Sequence, residues 1–175
     1  VDHLPPDLQR TYTTAELDIP DAATAALYAK SYAKMVEFVG LMYKAGIPVV
    51  AGTDELAGFT LQGELELLVK AGLTPAQALQ VGTLNGARYS KVEASKGHLA
   101  VGKDADLLLV DGDPTKNIGD IRQLALVITQ GKAIYPTDIY HAMGIKPFVT
   151  NKPVIERQPL PQGTAGNSAK HGHRH

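Results

Sequence analysis

Ala45-Gly46-Ile47-Pro48-Val49-Val50-Ala51-Gly52-Thr53-Asp54 is the stretch whose reading decides the fold. Its centre, residues 47–51, is a continuous apolar run bounded by Gly46 and Gly52. Such a run offers water no polar face, so it reads as a strand covered on both sides, as in a parallel sheet. Pro48 stands near the first position, where a missing N–H does least harm. Upstream, from about Asp21 to Ala45, apolar residues recur at Tyr28, Tyr32, Met35, Val36, Val39, Met42 and Tyr43. This three-and-four spacing predicts a helix with one buried stripe, stopped by Gly46. Helix, one-residue turn and buried strand make one step of an alternating α/β fold.

Downstream, a helix is expected over about residues 61–71, ending at Gly72. Thr74-Pro75-Ala76-Gln77 then reads as a capping box: the hydroxyl accepts from a free helix N–H, Pro75 fits the first turn, and Gln77 reaches back. That helix is expected to run to about Tyr89. Afterwards Gly97, Gly102, Gly112 and Gly131 punctuate short β-type runs at about residues 107–110, 126–129 and 133–135, the spacing of a small antiparallel sheet. The chain therefore divides into an irregular lead-in (1–20), an α/β part (21–92), a β part (93–140) and an extended tail (141–175) rich in Pro, Gln, Gly, Ser and Asn.

Composition narrows the function. A chain of 175 residues, 44% hydrophobic and 20% charged, is long enough for one or two small cores. With a net charge of -1 and no run of Lys and Arg, it has no field for holding phosphate backbones, and nucleic acid is not an expected partner. No apolar stretch reaches the roughly 18 residues that cross a bilayer, so no membrane span is expected. Lacking cysteine, it has no thiolate nucleophile or Cys-ligated metal, which leaves His, Asp and Glu for metal chemistry. Val1 in first place reads as processing or truncation, and the compartment stays open, with secreted or periplasmic locations allowed.

Gly52-Thr53-Asp54 carries the chemistry. Loops at the C-terminal ends of parallel strands form the reaction face of barrels and open α/β sheets. A carboxylate there can bind a divalent cation or take a proton from water. The same tripeptide also suits a helix cap or a turn.

The residues around it decide between these readings. Residues 45–54, then Glu64-Leu65-Glu66-Leu67-Leu68-Val69-Lys70-Ala71-Gly72-Leu73-Thr74-Pro75, Thr83-Leu84-Asn85-Gly86-Ala87-Arg88, Gly102-Lys103-Asp104-Ala105-Asp106-Leu107 and Asp111-Gly112-Asp113-Pro114 stand in one order and spacing. Together they closely resemble the end of the amidohydrolase superfamily barrel, particularly members related to imidazolonepropionase and prolidase, over about residues 30–136. The resemblance implies an α/β fold: the C-terminal part of a (β/α)8 TIM-type barrel, its last helix–strand units, plus a small β-sandwich segment. Residues 47–52 would be the eighth barrel strand. Asp54 would be a metal-ligating and catalytic aspartate that takes a proton from the attacking water and later helps protonate the leaving group. Glu55 and Gln62 would line the substrate pocket, Gln62 standing where many relatives have His.

The family's other metal ligands, a His-x-His pair, a bridging Lys or Glu and two single His residues, belong to barrel strands that this stretch does not contain. A barrel takes about 250 residues, and zinc about four ligands. The resemblance thus implies a divalent metal, zinc, in the complete protein and none held by this chain alone. It implies as partners the N-terminal barrel portion or another chain, and a small-molecule substrate. The expected function is the C-terminal part of a metal-dependent hydrolase of amide-type C–N bonds, a cyclic amide or a dipeptide, inactive without that portion. A non-catalytic interaction module that keeps the family's sequence is the alternative.

Other candidates read as structural. His3, His98 and His141 are scattered, and His171, His173 and His175 alternate in the tail. Asp111, Asp113, Asn117 and Asp120 hint at calcium, but Lys116 and Arg122 stand where its loop needs Gly and a bidentate Glu. Asp104 and Asp106 belong to the expected β-sandwich segment.

Overall fold

The structure, a computed structural model, describes residues 2–13, 19–54 and 59–156. Helix α1 (Pro6–Thr13) is followed by the long α2 (Ala22–Lys44), then α3 (Leu61–Lys70) and α4 (Pro75–Gln80). A π-helical turn (Val81–Asn85) joins α4 to α5 (Gly86–Tyr89). Strands β1 (Leu107–Val110), β2 (Leu124–Thr129) and β3 (Lys132–Ile134) follow, with a 3₁₀ turn (Ile118–Arg122) before β2 and helix α6 (Pro136–Ala142) after β3.

The caps explain where the helices begin and end. Asp21 accepts from the Thr24 amide at the start of α2. Gly46, at φ 77, turns the chain away at its end, its amide bonding to the Tyr43 carbonyl. The capping box at Thr74 is complete, with Gln77 N–H donating to the hydroxyl and the Gln77 side chain accepting from Thr74 N–H. The three strands form one antiparallel sheet in the order β1-β2-β3, with a register shift at Leu109/Val110. Among the described residues that is one sheet, without the second face that a sandwich needs.

One apolar cluster holds these parts together: Leu65, Leu68, Leu73, Ala78 and Val81 from the helical region, with Ile118 and Ile121 from the 3₁₀ turn. Val39 and Tyr43 of α2, Val49 and Ala51 pack against it. The core thus joins residues from both sides of the expected boundary between residues 92 and 93.

Three expectations are corrected. Residues 47–52 are not in a strand. A parallel strand exists through its neighbours, and no described strand lies beside this one. The stripe of α2 is half-buried only from Val36 onward, while Tyr28, Tyr32 and Met35 are exposed because α3 is the helix beneath it and is shorter. The two ends are also more structured than composition suggested. The lead-in contains α1, and the start of the tail packs down: Ile145 and Val149 are buried, and buried Thr137 donates its hydroxyl to the Val149 carbonyl at 2.6 Å. Apolar side chains this far apart in sequence find cover only in the folded chain.

Candidate functional site

Residues 47–54 leave α2 at Gly46 and run along the core. The Ile47 amide returns to the Met42 carbonyl, and the Asn85 side-chain amide donates to the Val49 carbonyl at 2.9 Å. From Val49 onward burial follows a period of two: Val49, Ala51 and Thr53 are half-buried, whereas Val50, Gly52 and Asp54 are exposed. This is the alternation of a strand with one covered face. Asp54 lies on the uncovered face, next to a cleft of about 740 Å³.

The opposite wall of that cleft is α3. Its buried residues, Leu65 and Leu68, point to the core, which leaves Gln62, Glu66 and Lys70 on the cleft side. Arg122 clamps Glu66 with both ends of its guanidinium, Nε to Oε1 at 2.7 Å and Nη2 to Oε2 at 3.0 Å. That hydrogen bonding raises the guanidinium above its ordinary value, which fixes it as a cation. Burial raises the nearby Tyr140 phenol, with Arg122 opposing. His3 closes the far side, stacked on Phe148 with centroids 3.6 Å apart, its Nδ1 2.7 Å from the Lys146 carbonyl. Because that oxygen can only accept, Nδ1 carries the proton.

The expected site residues therefore divide. Asp54 and Gln62 line one cleft. Glu55 lies outside the described residues. The Gln62 amide oxygen is buried with no hydrogen-bond partner among the described residues. His98 and His141 are exposed, while the three tail histidines lie outside the described residues. Asp120 accepts from the Asp113 amide and the Asn117 side chain, a closed turn. Lys96 bridges Asp104 and Asp106.

As a metal site the described residues do not suffice. Asp54 offers one carboxylate, and no group of three His, Cys, Asp or Glu side chains able to hold an ion occurs among them. Zinc takes about four ligands. Sequence reasoning missed Asn85 and Arg122 as members of this region. Their partners lie 36 and 56 residues away, and the sole local signal was Asn85 within Thr83-Leu84-Asn85-Gly86.

The chain is similar to proteins of known family. Over 75 residues it is 36% identical to an adenine deaminase of Geobacillus kaustophilus, a match covering 42% of this chain and 13% of that protein. Over 118 residues it is 28% identical to an imidazolonepropionase of Flavobacterium johnsoniae, covering 62% and 28% respectively. Among solved structures, a putative prolidase from Bifidobacterium longum superposes with a TM-score of 0.54 at 36% identity, over 57% of this chain and 26% of that one. A Xaa-Pro dipeptidase with bound methionine in its active site gives 0.54 at 26% identity, over 57% and 25%. The chain thus spans less than a third of each of these relatives. The profile of the amidohydrolase family matches residues 15–134, well over half of the sequence, and on that ground the chain belongs to the amidohydrolase family.

Proposed function

We propose that this chain is the C-terminal part of a metal-dependent hydrolase of amide-type C–N bonds, with Asp54 as one of its catalytic groups and its substrate a cyclic amide or a dipeptide. The observation that carries the reading is the place of Asp54 within the family match: it ends an alternating stretch on the uncovered face and opens on the cleft. The names of the relatives, a deaminase, an imidazolonepropionase and a dipeptidase, have C–N bond cleavage in common.

On this reading the barrel portion, supplied by the rest of the protein or by another chain, covers the bare face of residues 47–54 and brings the remaining ligands of a divalent metal, zinc. The metal would activate the water and polarise the scissile carbonyl. Asp54 accepts the proton of the attacking water on a carboxylate oxygen, then returns it to the departing nitrogen. Gln62, whose amide oxygen has no partner among the described residues, accepts an N–H of the substrate. Glu55, the next residue in sequence after Asp54, is proposed as a further pocket residue.

The test is hydrolysis of X-Pro dipeptides and cyclic amides by this chain with and without the N-terminal barrel portion. Activity that depends on that portion supports the reading. Full activity of the 175-residue chain alone overturns it.

A further inference from the structure

The run from Pro75 to Tyr89 would be one uninterrupted helix but for the π-helical turn Val81–Asn85. A π turn takes in one extra residue, which rotates the side chains after it by roughly 100° relative to a regular helix. Here the rotation falls between two buried anchors, Val81 and Ala87, and within it Asn85 is half-buried with its side chain turned to residues 47–54. The turn is held in place from its own side, since the Thr83 hydroxyl donates to the Leu79 carbonyl at 2.7 Å. Packing fixes the other side. A Cβ at Gly82 would stand 2.9 Å from a Leu65 methyl, so the turn lies directly on α3.

The bond that results is specific. The Val49 oxygen can only accept, so the NH2 group of Asn85 faces it at 2.9 Å. The Val49 side chain, like that of Ala51, also packs on the core. Side chain and carbonyl of one residue are thereby fixed together, which sets both the depth and the twist of the backbone leading to Asp54.

We infer that Asn85 is a positioning residue for Asp54, acting through the Val49 carbonyl without touching substrate. This rests on the proposed role of Asp54. A π turn interrupts the regular i→i−4 hydrogen bonds and is frequent at functional sites; in this chain it carries the amide that holds residues 47–54.

The test uses the complete protein with Asn85→Asp, which keeps the shape but presents no N–H to the carbonyl, and Asn85→Ala in case the carboxylate hinders folding. Two readouts are taken, amide exchange by residue and the steady-state constants. The inference predicts exchange faster by about tenfold, the scale of one net hydrogen bond, confined to residues 49–54, with α3 unchanged. It predicts a fall in kcat of at least about tenfold with KM little changed, as expected when a reacting group is misplaced and binding is not. Exchange that is unchanged, or that rises equally through α3 and α4, overturns it, as does unaltered kcat beside an inactive Asp54→Asn. If Asp54→Asn keeps full kcat, the proposed function fails instead, while exchange localised to residues 49–54 in the Asn85 variants still shows that Asn85 holds that backbone.

Discussion

Gly40 of α2 lies directly against the carbonyl of Ala71, so that a Cβ at position 40 would sit 2.0 Å from that oxygen. The two effects of Gly40→Ala oppose each other. Helix propensity favours alanine by about 1 kcal/mol, but a backbone carbonyl cannot swing aside as a side chain can, so α2 must lift from α3. Overpacking of this kind costs about 1–3 kcal/mol. We expect Gly40→Ala to lower the urea midpoint, and Leu27→Ala, on the exposed half of α2, to leave stability within about 0.5 kcal/mol of the parent. A Gly40→Ala protein as stable as the parent would show that the two helices are not in backbone contact.

The Arg122–Glu66 pair ties the 3₁₀ turn before β2 to the cleft face of α3. Its side chains are 29% and 38% exposed, so water screens part of the attraction, and about 1 kcal/mol is the appropriate scale for it. A double-mutant cycle with Arg122→Ala and Glu66→Gln should return a coupling of that size. Arg122→Lys should recover less than half of it, because an ammonium cannot bond both carboxylate oxygens in the plane. Full recovery with lysine would mean that charge alone holds the contact.

Acid stability has a defined window. Hydrogen bonding from Lys116, then Thr115, holds the Asp113 carboxyl down at about 2, below its ordinary 3.8. Lys96, then Thr129, lowers Asp106 in the same direction. Both carboxyls release their protons more readily folded than unfolded, so their stabilisation is complete above about pH 4 and is lost as pH falls toward 2. Asp113→Asn with Asp106→Asn should therefore flatten the fall in thermal midpoint between pH 4 and pH 2 and raise no stability above it. An unchanged slope would remove these two groups from the account.

How much of this was legible beforehand depended on the reach of each interaction. Thr74 and Gln77, or Gly46 after α2, act within one turn, and the sequence alone placed the helix ends they define. The short runs that became β1, β2 and β3 were legible because the glycines between them dictate the turns. Residues 47–51 carry the composition of a buried strand, yet pairing is a property of neighbours, and none is described here. Asn85 and Val49, or Arg122 and Glu66, meet only after packing, and nothing in their local sequence names the partner. Asp54 was legible as a candidate from its place after the apolar run, and the structure adds that it faces the same cleft as Gln62.

On the proposed function, Asp54 serves a hydrolytic site shared between this chain and a barrel portion. This role is tested most directly by comparing the parent and Asp54→Asn in the complete protein, measuring kcat for dipeptide and cyclic-amide hydrolysis beside the thermal midpoint. Since Asp54 is exposed and makes no hydrogen bond or ion pair among the described residues, the account predicts an unchanged midpoint and a fall in kcat of at least about a hundredfold, the scale of losing a positioned acid–base group. An Asp54→Asn protein that folds and hydrolyses these substrates at the parent rate would contradict it.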